Sequence, residues 1–174
     1  MVELKARAAF EELLPLEVGE VSLKARDFGP LTLLGDLGET NALQTALKRA
    51  HGLGLPDPLR STENGALRCL WFGRGQSLLI GSEPDPDLTK HAAVVDVSDG
   101  WAAAELSGQG AEDVLARLVP VDLRAAAFPT GHTLRSLLRE IPVSITRLDA
   151  DRLLLLLPRS MAASAVADLR RAME

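Results

Sequence analysis

Residues 93–118 read AVVDVSDGWAAAELSGQGAEDVLARL, and the change of period within them decides the fold class. Ala93 to Ser98 predicts a strand, Asp99 and Gly100 a turn, and Trp101 to Leu106 a second strand. Past Gly108 and Gly110 the apolar positions become Ala111, Val114, Leu115 and Leu118, the i, i+3, i+4, i+7 spacing of one helix face. Glu112 and Asp113 in the first turn and Arg117 in the last complement the helix dipole, and Pro120 stops the helix. Strand, strand and helix in one short stretch place the chain in the α+β class.

The same signals recur on both sides of this stretch. Val21, Leu23 and Ala25 alternate with polar neighbours, and Leu31 to Leu34 follows Gly29 and Pro30, which predicts an opening hairpin. From Asn41 the set Leu43, Ala46, Leu47 and Ala50 predicts a helix closed by Lys48, Arg49 and Gly52. Gly52 to Gly65 carries Gly54, Pro56 and Pro58 and no sustained period, so it reads as a long surface loop of the kind that contacts partners. Ala66 to Phe72 and Gln76 to Ile80 predict a hairpin reversing at Gly73 and Gly75, and the chain breaks again at Glu83 to Asp87.

Downstream, strands are predicted near Thr133 to Arg139, Val143 to Leu148 and Arg152 to Leu157, the last of them buried. A closing helix turns Ala162, Val166, Leu169 and Met173 inward. The expected organisation is an N-terminal extension over 1–19, a first α+β half over 20–92 and a second over 93–174, forming one compact unit. Each half runs hairpin, helix and further strands, although no residue motif recurs between them.

A chain of 174 residues can bury a substantial core. With four Phe, two Trp and no Tyr, that core must be mainly Leu, Val and Ala. Nineteen Lys and Arg against twenty-four Asp and Glu, with no basic run, argue against a nucleic-acid partner. Cys69, the only cysteine, lies in an apolar run and reads as a buried, inert thiol compatible with a reducing cytoplasm. The charged stretch Met1 to Gly19 is unlike a signal peptide, and Leu153 to Pro158, the longest apolar run, is far short of the ~20 residues that span a bilayer. A soluble, cytoplasmic chain is expected.

Signals for chemistry are few. Neither Gly73 with Gly75 nor Gly108 with Gly110 continues to a dinucleotide fingerprint, and no Walker sequence occurs. His51, His91 and His132 fall in three different elements without metal-ligand spacing. A Cys69 nucleophile would need a neighbouring base that the sequence does not supply. Asp96, Asp99 and Glu105 read as polar strand faces or turn residues. No catalytic, cofactor-binding or metal residue is assigned. Trp71, Trp101 and Phe128 stand out in an aromatic-poor chain, as core or as interface anchors. With Arg124 they form the candidate partner interface, expected on an apolar patch larger than a monomer normally exposes.

Four ordered segments carry a family resemblance: residues 71–80 (WFGRGQSLLI), Asp96-Val97-Ser98 leading to Gly108, Ala111 and Leu115, residues 118–129 (LVPVDLRAAAFP) and residues 157–161 (LPRSM). Together they resemble the gamma-subunit family of heterotetrameric sarcosine oxidases, within the glycine cleavage T-protein superfamily of folate-binding aminomethyl-transfer proteins. The resemblance spans roughly residues 20–174 and implies two intertwined ferredoxin-like halves, with antiparallel or mixed sheets and helices packed on them.

It also implies an assembly that oxidatively demethylates sarcosine to glycine, makes hydrogen peroxide and passes the one-carbon unit to tetrahydrofolate. There the alpha and beta subunits hold NAD, FAD, FMN and tetrahydrofolate, the delta subunit holds zinc, and a gamma chain holds none of these but supports alpha and its neighbours. T-proteins place an acidic pair where a strand passes the folate. The matching stretch here, residues 140–145, reads EIPVSI and lacks an Asp. A free-standing folate-binding module of the T-protein type is the alternative, and an unrelated enzyme using Cys69 or a histidine is a third reading.

Overall fold

The computed structural model describes residues 7–174, so residues 1–6, the outer end of the N-terminal extension, lie outside the described residues. Two antiparallel sheets are built from strands that are not grouped as local hairpins alone. Sheet A has the order β1 (Leu16–Val18), β2 (Val21–Arg26), β8 (Trp101–Ser107), β11 (Arg152–Pro158), β10 (Ile141–Asp149), β9 (Thr133–Leu138). Sheet B has the order β4 (Ser61–Asn64), β5 (Leu67–Gly73), β6 (Gln76–Ile80), β3 (Leu31–Asp36), β7 (Ala92–Asp96). Helices α1 (Thr40–His51), α2 (Ala111–Ala116) and α3 (Ala162–Met173) complete the fold.

The expected opening hairpin does not form. β2 pairs with β1 and β8 in sheet A, while β3 pairs with β6 and β7 in sheet B, so the Gly29 turn carries the chain from one sheet to the other. The turn at Asp99 and Gly100 does the same between β7 and β8. A turn signal reports only that the chain changes direction, and long-range pairing then decides which strand it meets. The β5–β6 and β9–β10–β11 reversals are local, as predicted.

The sheets stack between two helical layers. Leu153, Leu155 and Leu157 of β11 join Val114, Leu115, Val166 and Leu169 of the helices on the outer side of sheet A. Leu154 and Leu156 turn the other way onto Leu70, Phe72, Leu78 and Ile80 of sheet B. β11 is therefore buried on both faces, which explains its unbroken leucine run. Behind sheet B, Leu43, Ala46 and Leu47 of α1 cover Cys69 and Leu79, whereas Ala50 of the predicted helix face is exposed.

Two short strands were not expected: β1, in the N-terminal extension, and β4 inside the region expected to be loop, where Ser61 to Asn64 pair with Leu70 to Leu67 through the backbone. The preceding segment joins the sheets. The Ser61 N–H donates to the Gly131 carbonyl at 2.8 Å and the Thr133 N–H to the Leu59 carbonyl at 3.1 Å, laying Leu59 to Ser61 against the start of β9. Gly108, between β8 and α2, sits against the β1–β2 turn. Its φ is +107°, and a Cβ there would come within 1.9 Å of the Glu20 carbonyl oxygen, so both conformation and contact require glycine.

Candidate assembly surface

The four interface candidates lie in separate places. Trp71, half-buried on β5, lines a hollow with Leu43, Leu55, Pro56, Pro58 and Gln76 on the α1 side of sheet B. Phe72, next in sequence, faces the space between the sheets, where its ring meets Trp101 edge to face at 5.1 Å. Arg135 of β9 closes over this pair, its guanidinium 4.5 Å from the Phe72 ring and 5.7 Å from Trp101. Such stacking fixes the indole and leaves one side of it half-exposed.

That open side of Trp101 faces a groove of about 450 Å³ at the two sheet crossovers, shared with Phe28, Leu31, Arg26, Phe10 and Arg159. Arg26 Nε lies 3.1 Å from Glu105, whose oxygen is buried without an aligned hydrogen bond. The groove is mostly apolar with charges of both signs in its lining, Arg26 and Arg159 beside Glu11 and Asp27, a surface suited to protein contact.

Phe128 is only 4% exposed and packs inward from the irregular segment 118–132, between His132 at 5.9 Å and the guanidinium of Arg147. Arg124 is exposed on the same segment, but Asp122 grips it through both Nε, at 2.9 Å, and Nη2, at 2.5 Å. The Arg124 guanidinium and backbone N–H together pull the Asp122 carboxyl down to about 2.

The residue organising this region, Arg147, was absent from the interface candidates. It is 2% exposed, yet its Nε donates to the Phe128 carbonyl at 2.6 Å, Nη1 to the Ala150 carbonyl at 2.8 Å, and Nη2 to Glu112 at 2.8 Å and to the Leu123 carbonyl. A planar fork of donors can satisfy several turn carbonyls at once, as an ammonium cannot. The sequence did carry a signal: Val143, Ile145 and Arg147 alternate, which puts an arginine in the apolar phase of a buried strand.

Burial pushes the Cys69 thiol up to about 12, so it stays protonated and unreactive at neutral pH. The three histidines are half-buried and stand apart. His51 accepts from the Asp85 N–H at 3.3 Å and meets the Ser82 hydroxyl, while His91 meets Glu39 at 3.1 Å. Burial, and then the charge of Arg60, holds His132 below its ordinary value. Among the described residues no three His, Cys, Asp or Glu side chains gather to hold a metal, and no helix is long and apolar enough to cross a membrane. Gly73 and Gly75 turn a hairpin, and Gly108 and Gly110 lead into a six-residue helix.

Residues 35–172 match the model of the sarcosine oxidase gamma subunit family. This chain belongs to that family. The gamma subunit of a sarcosine oxidase from an Arthrobacter species is 31% identical over 117 residues, covering 62% of this chain. This chain spans 58% of the length of that relative. A chain of the heterotetrameric sarcosine oxidase from Corynebacterium sp. U-96 superimposes with a TM-score of 0.83 at 24% identity, over 97% of this chain and 94% of that one. The glycine cleavage system aminomethyltransferase T from Bartonella henselae follows with a TM-score of 0.59 at 16% identity, over 92% of this chain and 48% of that one. These likenesses show that this chain has a T-protein-like α+β fold.

Proposed function

We propose that this chain is a noncatalytic gamma-type subunit of a heterotetrameric sarcosine oxidase, supporting its alpha subunit and the assembly as a whole. The reaction served is oxidative demethylation of sarcosine to glycine with transfer of the one-carbon unit to tetrahydrofolate. NAD, FAD, FMN, tetrahydrofolate and zinc belong to the alpha, beta and delta partners. Trp101 in its groove, Trp71 in its hollow and the Arg124 segment are the contact points assigned to those partners.

The observation that carries this reading is the state of β10. Val143, Ser144 and Ile145 are each no more than 1% exposed, and the only carboxylate of residues 140–145, Glu140, stands outside in the β9–β10 turn. A sealed stretch without a carboxylate, as residues 141–145 are, cannot place a general acid or base against a pterin nitrogen, so these residues do not fit a folate site. Further along the strand Thr146 and Arg147 are committed to Thr133 at 2.7 Å and to the 118–132 carbonyls, and Asp149 at its end accepts from Arg152 at 2.6 Å.

Coexpression of the tagged chain with alpha, beta and delta subunits is the direct test. The expected eluate is yellow, contains all four chains and makes peroxide when given sarcosine. A colourless lone chain would overturn the proposal, and tight tetrahydrofolate binding by that chain would support the free-standing module that the T-protein-like fold also allows.

A further inference from the structure

β7 is an outer strand of sheet B, and its hydrogen-bonding phase can be read from its ends. The Val97 N–H donates to the Leu31 carbonyl at 2.9 Å, and the Leu37 N–H to the His91 carbonyl at 3.5 Å. In the register that sets Leu33 opposite Val95, residues 91, 93, 95 and 97 therefore bond to β3, and Val94 and Asp96 point their N–H and C=O groups away from it. Those outward groups have no backbone partner among the described residues.

The other sheet margins are blunted. β1 is three residues long, β4 is entirely polar, and β9 is covered at its start by Leu59 to Ser61 and carries Arg135 along its length with Arg139 just beyond. β7 reads AAVVD, with no Lys, Arg, Pro or Gly, and its register with β3 is unbroken. Val95 is 49% exposed beside Leu33. Such an edge is a ready template for another strand, and natural proteins rarely leave one bare without use.

The surrounding charge says which strand. Asp36, Glu39, Asp87, Asp96 and Asp99 lie on β7, beside it or on its flanking turns. Against them stand Lys90 and Arg49, both on Asp87, and His91 on Glu39. Hydrogen bonds from Thr40, Lys90 and Ser98 respectively hold Asp36, Asp87 and Asp96 below the ordinary carboxylate value. A second copy of this chain would bring the same acidic margin and be repelled.

We infer that β7 accepts an extended, basic-flanked strand from a partner subunit, which adds to sheet B with an apolar residue beside Val95. This rests on the assembly role proposed above and names one surface through which it acts. Main-chain pairing would supply affinity, and the acidic margin would select lysine or arginine flanks.

Val94→Pro tests it, because the Val94 N–H has no bond to β3 to lose, so proline removes the outward donor without breaking the ladder and trims only part of the half-buried packing of Val94 on the α1-side core. Val95→Lys places a charge on the same edge without altering the backbone. Both are expected to leave the melting temperature of the isolated chain within about 3 °C of wild type and to weaken capture by coexpressed alpha, beta and delta subunits about tenfold. Recovery of either folded variant in the complex at wild-type yield would overturn the inference while leaving the subunit role standing. Failure of the wild-type chain to assemble would overturn the role and this inference together. A dimer of the isolated chain that Val94→Pro dissolves would reassign the edge to self-association.

Discussion

The segment 118–132 has turns instead of strands, yet its carbonyls at Leu123 and Phe128 are satisfied by Arg147. β7 is regular strand, yet among the described residues Val94 and Asp96 leave main-chain groups without a backbone partner. An irregular stretch fixed from within can present a side chain such as Arg124 in one orientation. A regular stretch left open presents its backbone, which only another extended chain can match.

The largest effect should come from removing the internal clamp. Arg147→Met takes the donors from three carbonyls while keeping the apolar stem, and it should cost about 3–5 kcal/mol of unfolding free energy in urea. Arg147→Lys should recover little of that, since one ammonium cannot span Leu123, Phe128 and Ala150. A loss below about 1 kcal/mol for the Met variant would mean that the segment holds itself, and the contrast with β7 would collapse.

A smaller effect is expected where sheet A depends on one glycine. Gly108→Ala forces a Cβ against the Glu20 carbonyl at a positive φ and should cost about 3 kcal/mol. Hydrogen exchange should quicken at Val21 and Leu23 before it does at Leu78 in sheet B. Equal quickening in both sheets would show that they open as one unit.

The smallest effect concerns Arg124. Arg124→Ala should let the Asp122 carboxyl rise from about 2 toward its ordinary 3.8, seen by NMR titration. Because the folded value is depressed, the contribution of this pair is complete above pH 3.8 and fades as the pH falls toward 2. Both groups are open to water, so the melting temperature at neutral pH should hardly move. No movement of the titration would free Arg124 from its fork and make it a mobile contact.

What could be read in the sequence followed the range of the interactions involved. The glycine reversal between β5 and β6 and the i, i+3, i+4 face of α2 are local, and both stand where the pattern put them, with α2 ending at Ala116 ahead of the predicted Leu118. The partners of β2 and β7 were hidden, because alternation in Val21, Leu23 and Ala25 is equally satisfied by β3 or by β8. β4 escaped because its wholly polar residues owe their pairing to the backbone. Trp101 was visible as an aromatic outlier, whereas its setting against Phe72 and Arg135 requires three distant strands to meet. Arg147 was legible in phase but not in purpose, since the carbonyls it serves belong to a stretch with no periodicity.

The exchange of β2 into sheet A has a consequence for the chain as it is made. Sheet B is assembled from residues 31–96 without a break, but Ser22 of β2 pairs with Ser107 of β8. At about 5–20 residues per second, β2 is synthesised several seconds before β8, its neighbour on the inner side of the sheet, exists. During that interval Val21 and Leu23 have only the three-residue β1 to pair with, while sheet B can already close beside them. The order of translation therefore sets a timetable in which the nascent chain completes its second-written sheet by recovering its two first-written strands.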